Sequence, residues 1–168
     1  PNREPIDPVR YVSNRSSGKM GYALARAVLN RGAAVTLVSG PTALEPPAGA
    51  RLIPVTTAAE MRNAILEEFP NCTTVIMAAA VSDYRPIAYS STKMKRGKTP
   101  LELRLEPNPD ILKELGAMKD GKLLVWTTHM DRKTHPAAAR FCAEDGIQHA
   151  LPALFEGSFS LQFTLPEP

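Results

Sequence analysis

The residues best suited to chemistry in this chain fall into four short segments. Asp7-Pro8-Val9-Arg10-Tyr11-Val12-Ser13-Asn14-Arg15-Ser16-Ser17-Gly18-Lys19-Met20-Gly21 joins a polar loop, with hydroxyls and glycines, to the start of a helix. Free backbone N–H groups and the positive end of a helix dipole favour a phosphate there, with Ser16, Ser17 and Gly18 placed to bind it. The plainer alternative is a serine-capped helix behind a polar turn. Ala78-Ala79-Ala80-Val81-Ser82-Asp83-Tyr84-Arg85-Pro86 sets small residues at the end of an apolar run and an acid just beyond it. Small side chains let a ligand lie against the backbone, and a carboxylate at the carboxyl end of a strand can meet a base, a ribose or a magnesium ion. Alternatively, Asp83 caps a turn and the alanines permit tight packing. Lys93, Lys95, Arg96 and Lys98 either grip phosphates or form a solvated face. Asn108-Pro109-Asp110-Ile111-Leu112 is a helix start that either meets a base or phosphate or is simply capped. His129 and His135 with Asp131 match no standard ligand spacing, so no metal ligand is assigned.

These segments need elements to hold them. Met20, Leu24, Ala27 and Val28 predict a helix that starts behind the serines and stops at Gly32. Residues 33–39 read as a short buried parallel strand and 52–55 as a second strand. Thr57 and Glu60 form a capping box that opens a helix through about Phe69. Residues 73–81 give the strongest strand signal, 82–99 a mobile loop or flap, and Leu101-Glu102-Leu103-Arg104-Leu105 a half-exposed strand. A helix from Asn108 to about Met118 and a strand from Lys122 to about Trp126 follow. This alternation predicts an α/β chain: a Rossmann-like three-layer fold with a mostly parallel sheet, ligands lying at the carboxyl ends of the strands. The chain opens in a loop, so the first strand of such a fold is expected to be missing. Residues 1–125 are expected to form the nucleotide-binding domain. Residues 126–168 are expected to be a divergent tail of uncertain structure, since its last stretch shows neither helical nor long alternating periodicity.

Composition removes several function classes. A chain of 168 residues has room for one domain, and 43% hydrophobic with 22% charged residues is ordinary globular usage. A formal charge of +3 and an aromatic content of 6% argue against a nucleic-acid partner. Cys72 and Cys142, the 2 cysteines, make neither a disulfide framework nor a zinc module. No apolar run is long enough to cross a bilayer and the opening residues lack the plan of a secretory signal, so a cytoplasmic location is expected. Neither G-x-G-x-x-G nor a Walker loop is present, which demotes a dinucleotide oxidoreductase.

Over about residues 2–125 the order and spacing of Asp7-Pro8-Val9-Arg10 to Gly21, Val38-Ser39-Gly40-Pro41, Ala79-Ala80-Val81-Ser82-Asp83-Tyr84-Arg85, Lys93-Met94-Lys95 and Asn108-Pro109-Asp110-Ile111 resemble bacterial phosphopantothenoylcysteine synthetase. That family is usually the carboxyl-terminal half of a bifunctional coenzyme A biosynthesis protein. The resemblance implies a ligase that activates the carboxylate of 4′-phosphopantothenate with CTP and Mg²⁺ as an acyl-cytidylate, which the amine of cysteine then attacks. It implies that Asn14 stabilises the activated acyl group and that Arg10 meets an anionic group. It places Met77, Ala78, Ala79, Asp83, Lys93, Pro109, Asp110, Ile111 and Leu112 at the nucleotide. It also implies a homodimer and, as a partner, a phosphopantothenoylcysteine decarboxylase domain. After Leu124-Val125 the chain reads Trp126-Thr127-Thr128-His129, where the family continues with a glycine-phenylalanine-alanine stretch and two nucleotide-binding lysines. The alternative is therefore a truncated or divergent domain of the same fold that binds a nucleotide without turnover.

Overall fold

The computed structural model describes residues 1–118, 121–128 and 160–163. They are α/β, and the chain divides into two compact units: Pro1–Pro70 with Ala79–Glu114, and Asn71–Ala78 with Leu115–Pro168.

In the first unit, β1 (Glu4–Pro5) and β2 (Tyr11–Val12) pair antiparallel. The turn between them closes as Ile6 N–H and Asp7 N–H donate to the Arg10 carbonyl. Two short strands thus precede the first helix, where a loop alone was expected. Helix α1 (Lys19–Leu29) buries Tyr22, Leu24 and Ala25. Its cap is Gly18 and not a serine, because Gly18 takes a left-handed φ of 74° that side chains disfavour. Ser16 and Ser17 instead accept from Gly18 N–H at 3.3 Å and Lys19 N–H at 3.4 Å, bracing the turn ahead of the helix.

The strands β3 (Thr36–Ser39) and β4 (Arg51–Pro54) run parallel, with Val38 opposite Ile53. They are half-exposed where a buried strand was expected: Thr36, Arg51, Leu52 and Pro54 face solvent. Helix α2 (Ala58–Glu68) begins in the expected capping box. Thr57 Oγ1 accepts from Glu60 N–H at 3.1 Å and the Glu60 carboxylate accepts from Thr57 N–H at 3.3 Å, satisfying two otherwise orphaned donors. A 3-10 turn (Phe69–Asn71) ends it, with Phe69 buried.

The expected flap carries structure of its own. In the ribbon formed by β6 (Tyr84–Pro86) and β7 (Leu105–Pro107), antiparallel pairing sets Arg85 opposite Glu106. The alternation over Leu101–Leu105 does not become a strand until Leu105, because the partner strand is only three residues long. Asp110 precedes α3 (Ile111–Ala117), its carboxylate accepting from Lys113 N–H at 3.0 Å; the helix starts later than expected and ends about where expected. In α2, Arg62 holds Glu114 of α3 through Nε at 2.9 and 2.8 Å and Nη2 at 2.7 Å.

In the second unit β5 (Thr74–Met77) pairs parallel with β8 (Leu123–Thr128), and β8 pairs antiparallel with β9 (Ser160–Phe163). The β9 strand falls within residues 151–168, a stretch whose sequence shows neither helical nor long alternating periodicity. Lys122 Nζ donates to the Cys72 carbonyl at 2.7 Å beside the start of β5. Among the described residues the sheets are small and of both kinds: β3–β4 is parallel, β1–β2 and β6–β7 are antiparallel, and β5–β8–β9 is mixed. Strands of two and three residues, such as β1, β2, β6 and β7, leave little ladder for a continuous sheet. His129, Asp131, His135, Cys142 and His149 lie outside the described residues.

Candidate active site

Three asparagines converge on the backbone of Val81-Ser82-Asp83. Asn14 donates from Nδ2 to the Val81 carbonyl at 2.8 Å. Asn2 accepts from Ser82 N–H at 2.7 Å, and Asn108 donates from Nδ2 to the Ser82 carbonyl at 2.8 Å. The Asn108 N–H also donates to the Asp83 carbonyl at 2.7 Å. A segment with no ladder partner thereby has its polar groups met by side chains, as a buried backbone requires. Asn2 is fully buried and its own amide donates to buried Glu4, whose carboxylate also accepts from Ala58 N–H at 2.7 Å, the first residue of α2. A carboxylate there meets the positive end of the helix dipole. Ser13 Oγ donates to the Asn2 carbonyl at 2.6 Å, so the loop carrying Asn14 is tied on both sides. Ser82 Oγ is buried and has no hydrogen-bond partner among the described residues.

Asp7 organises a second cluster. Its carboxylate accepts from Val9 N–H and Arg10 N–H, both at 2.8 Å, from Arg10 Nη1, and from Met94 N–H at 3.2 Å. Arg10 Nη1 also donates to the Met94 carbonyl at 3.1 Å. Burial pushes the Asp7 carboxyl up, but the backbone N–H groups of Val9, Arg10 and Met94 and the Arg10 guanidinium outweigh it and hold the pKa down at about 2. The peptide between Lys93 and Lys95 is thus seated on the turn that carries Arg10. Ser90 N–H adds a bond to the Ile6 carbonyl at 3.0 Å.

The glycine of Val38-Ser39-Gly40-Pro41 has a steric reason. A Cβ on Gly40 would lie 1.8 Å from the Pro1 carbonyl oxygen, so only glycine lets the chain pass on its way to Asn2.

The structure brings Asn14 to the segment that leads into Asp83, and Arg10 to the neighbour of Lys93. Asp83 and Lys93 are exposed, as is Ala79. Asn108 links that segment to Pro109-Asp110-Ile111-Leu112, in which Ile111 is a core residue and Pro109 and Leu112 are half-buried. Ser16 and Ser17 are exposed beside Gly18. Met77 and Ala78 belong to the second unit. Asn2 and Glu4 are the residues that sequence reasoning missed: their partners Ser82 and Ala58 are distant in the chain, and no local pattern announces them. Among the described residues no three His, Cys, Asp or Glu side chains converge as a metal cage would require. None of the described helices is long and apolar enough to cross a membrane.

Known proteins contain similar segments. The family described as DNA/pantothenate metabolism flavoprotein C-terminal domain matches residues 1–141. A cysteine/cysteine sulfinic acid decarboxylase of an unknown prokaryotic organism is 50% identical over 120 residues, covering 71% of this chain and 33% of its own. Coenzyme A biosynthesis bifunctional protein CoaBC of Bacillus subtilis (strain 168) is 48% identical over 126 residues, covering 74% of this chain and 31% of its own. The crystal structure of the C-terminal domain of a coenzyme A biosynthesis bifunctional protein CoaBC superposes with a TM-score of 0.65 at 48% identity, covering 74% of this chain and 58% of that one. The chain spans about a third of the length of these curated relatives. On this match, which extends over most of its length, the chain belongs to the family of DNA/pantothenate metabolism flavoprotein C-terminal domains.

Proposed function

We propose that this chain is a phosphopantothenate–cysteine ligase domain acting in coenzyme A biosynthesis. The observation that carries the reading is the 2.8 Å bond from Asn14 to Val81, which sets the Asn14 amide beside the segment ending in Asp83. In the proposed reaction the carboxylate of 4′-phosphopantothenate attacks the α-phosphorus of CTP and pyrophosphate leaves; the amine of cysteine then attacks the acyl carbon and CMP leaves. A carboxylate is a poor electrophile until its oxygen becomes a phosphoester leaving group, so positioning and charge stabilisation are the tasks left to the protein.

Asn14 and Arg10 are the proposed catalytic residues. The Asn14 loop is fixed before substrate arrives, which is what preorganised stabilisation of a developing charge needs. Arg10 uses Nη1 for Asp7 and Met94 and offers its remaining N–H donors, on a side chain 41% exposed, to an anionic group. The exposed carboxylate of Asp83 and the ammonium of Lys93 are suited to the nucleotide and its phosphates. Ala79, Pro109, Asp110, Ile111 and Leu112 are proposed to line the base and ribose, and Ser16, Ser17 and Gly18 to take a phosphate. The residues fit a magnesium ion that arrives on the phosphates, with Asp83 as a single protein carboxylate, better than one held in a protein cage. When bound, it would neutralise charge on the departing pyrophosphate.

The same reading includes a Rossmann-like three-layer fold, supported by the parallel pairs β3–β4 and β5–β8, and a divergent tail over residues 126–168. It includes a cytoplasmic location, a decarboxylase partner domain and a homodimer, the last supported by exposed Tyr84, Ile87, Tyr89, Leu101 and Leu105. Pyrophosphate release that requires both CTP and 4′-phosphopantothenate tests it. A folded chain that releases none at high concentration removes the catalytic claim. The change of sequence after Val125 favours a second reading, binding without turnover, and calorimetric CTP binding without pyrophosphate would select it.

A further inference from the structure

We infer that Asp7 is a positioning residue: it holds the Lys93-Met94-Lys95 loop on the turn that carries Arg10 and so sets the cations of that loop at the nucleotide phosphates. The inference rests on the proposed function only for the identity of what the cations bind. The clamp itself is geometric. Met94 is gripped at both of its backbone polar groups, its N–H by Asp7 at 3.2 Å and its carbonyl by Arg10 Nη1 at 3.1 Å. Fixing both groups fixes the two peptide units that join Met94 to its lysine neighbours.

The Asp7 side chain is fully buried, so it cannot exchange these donors for water, and bonds to a charged acceptor are the strong kind. Its partners divide by purpose. Val9 and Arg10 N–H groups lie two and three residues away and shape the turn, whereas Met94 is 87 positions away. A carboxylate needed only for the turn would have no use for that last donor. Lys93, Lys95, Arg96 and Lys98 are all exposed, so without the clamp four like charges would hold one another apart and away from a fixed point.

Two variants of the full chain test this. Asp7→Asn keeps the shape and removes the charge. Met94→Pro removes the N–H that reaches Asp7, fixing φ at that position as well, and leaves the turn bonds of Val9 and Arg10 in place. Circular dichroism establishes that each variant is folded. Limited trypsin digestion should then raise cutting after Lys95 and Arg96 about tenfold relative to cutting after Arg26, Arg62 and Lys113, each compared with the parent chain. A general loss of stability would instead accelerate every site. Calorimetry with CTP and Mg²⁺ should show a dissociation constant raised about tenfold in both variants. Parental protection of Lys95 and Arg96, or parental CTP affinity, in either folded variant overturns the inference. If Asp7→Asn does not fold, Met94→Pro decides alone. If the parent chain itself binds no CTP, the functional reading fails, and the digestion pattern still judges the clamp.

Discussion

Asp7 also makes a pH argument at the scale of one residue. Its folded pKa of about 2 lies below the ordinary value of 3.8, so it contributes stability that is fully present above about pH 4 and is lost as pH falls through 2. Acid titration of the chain, followed by circular dichroism, should show a loss of stability in that window that is reduced in Asp7→Asn. An identical acid profile in the variant would mean that the carboxylate is not held as described. Gly40 gives the steric counterpart. In Gly40→Ala the new methyl would have to displace the Pro1 backbone, since it would sit 1.8 Å from that carbonyl. Strain of that kind costs about 1–3 kcal/mol, to be read as a lower urea midpoint at constant slope. Unchanged stability would show that the first residues move aside freely. Asn14→Ala belongs here too: turnover should fall much more than CTP affinity, because the proposed contact strengthens as the acyl group is activated. Equal losses in both would make Asn14 a structural tie. The loop that carries Asn14 stood out in the sequence by its hydroxyls and glycines, whereas the burial of Asn2 had no such signal. Asn2 matters through a bond to Ser82, 80 positions away, and no spacing rule spans that distance.

At the scale of elements, legibility follows the range of the forces. The Thr57 and Glu60 box was readable because both donors and both acceptors lie within four residues. Thr57→Ala should therefore lower stability by about 1 kcal/mol while Thr57→Ser stays close to the parent, measured by urea unfolding. If alanine costs nothing, α2 is held by the burial of Ala58 and Met61 alone. The β6–β7 ribbon shows the opposite case. Its alternating leucines promised a strand from residue 101, but a strand exists only where a partner does, and pairing runs from Tyr84 opposite Pro107 to Pro86 opposite Leu105. Ladder length is set by the shorter partner, a fact that the pattern of a single strand cannot contain. Likewise Ser16 and Ser17 have the right chemistry for a helix cap, yet the left-handed turn at Gly18 moves the cap one position along and gives the hydroxyls to the preceding turn.

At the scale of the whole molecule, the exposed apolar residues pose the remaining question. Ile87 and Tyr89 follow β6 directly and Leu101 and Leu103 precede β7. The Ile87 N–H bond to the Arg104 carbonyl at 3.1 Å carries the ribbon past its last ladder pair, so these side chains stand on neighbouring lengths of chain. Single exposed apolar residues are normal on a protein surface, but Tyr89 at 56% and Leu101 at 67% exposure belong to a run. A second copy of the chain is the occupant that the proposed homodimer calls for, and an antiparallel ribbon suits a two-fold contact in which each copy offers the same patch. The double variant Tyr89→Lys with Leu101→Lys leaves the core untouched and places four like charges across such a contact. Sedimentation velocity should then show the parent as a dimer and the variant as a monomer with an unchanged circular dichroism spectrum. A parent that is monomeric at every concentration, or a variant that sediments with the parent, would exclude this face as the dimer contact. Dimerisation would remove these side chains from water without altering the Asp7 clamp or the asparagine ties, whose hydrogen bonds are all made within one chain.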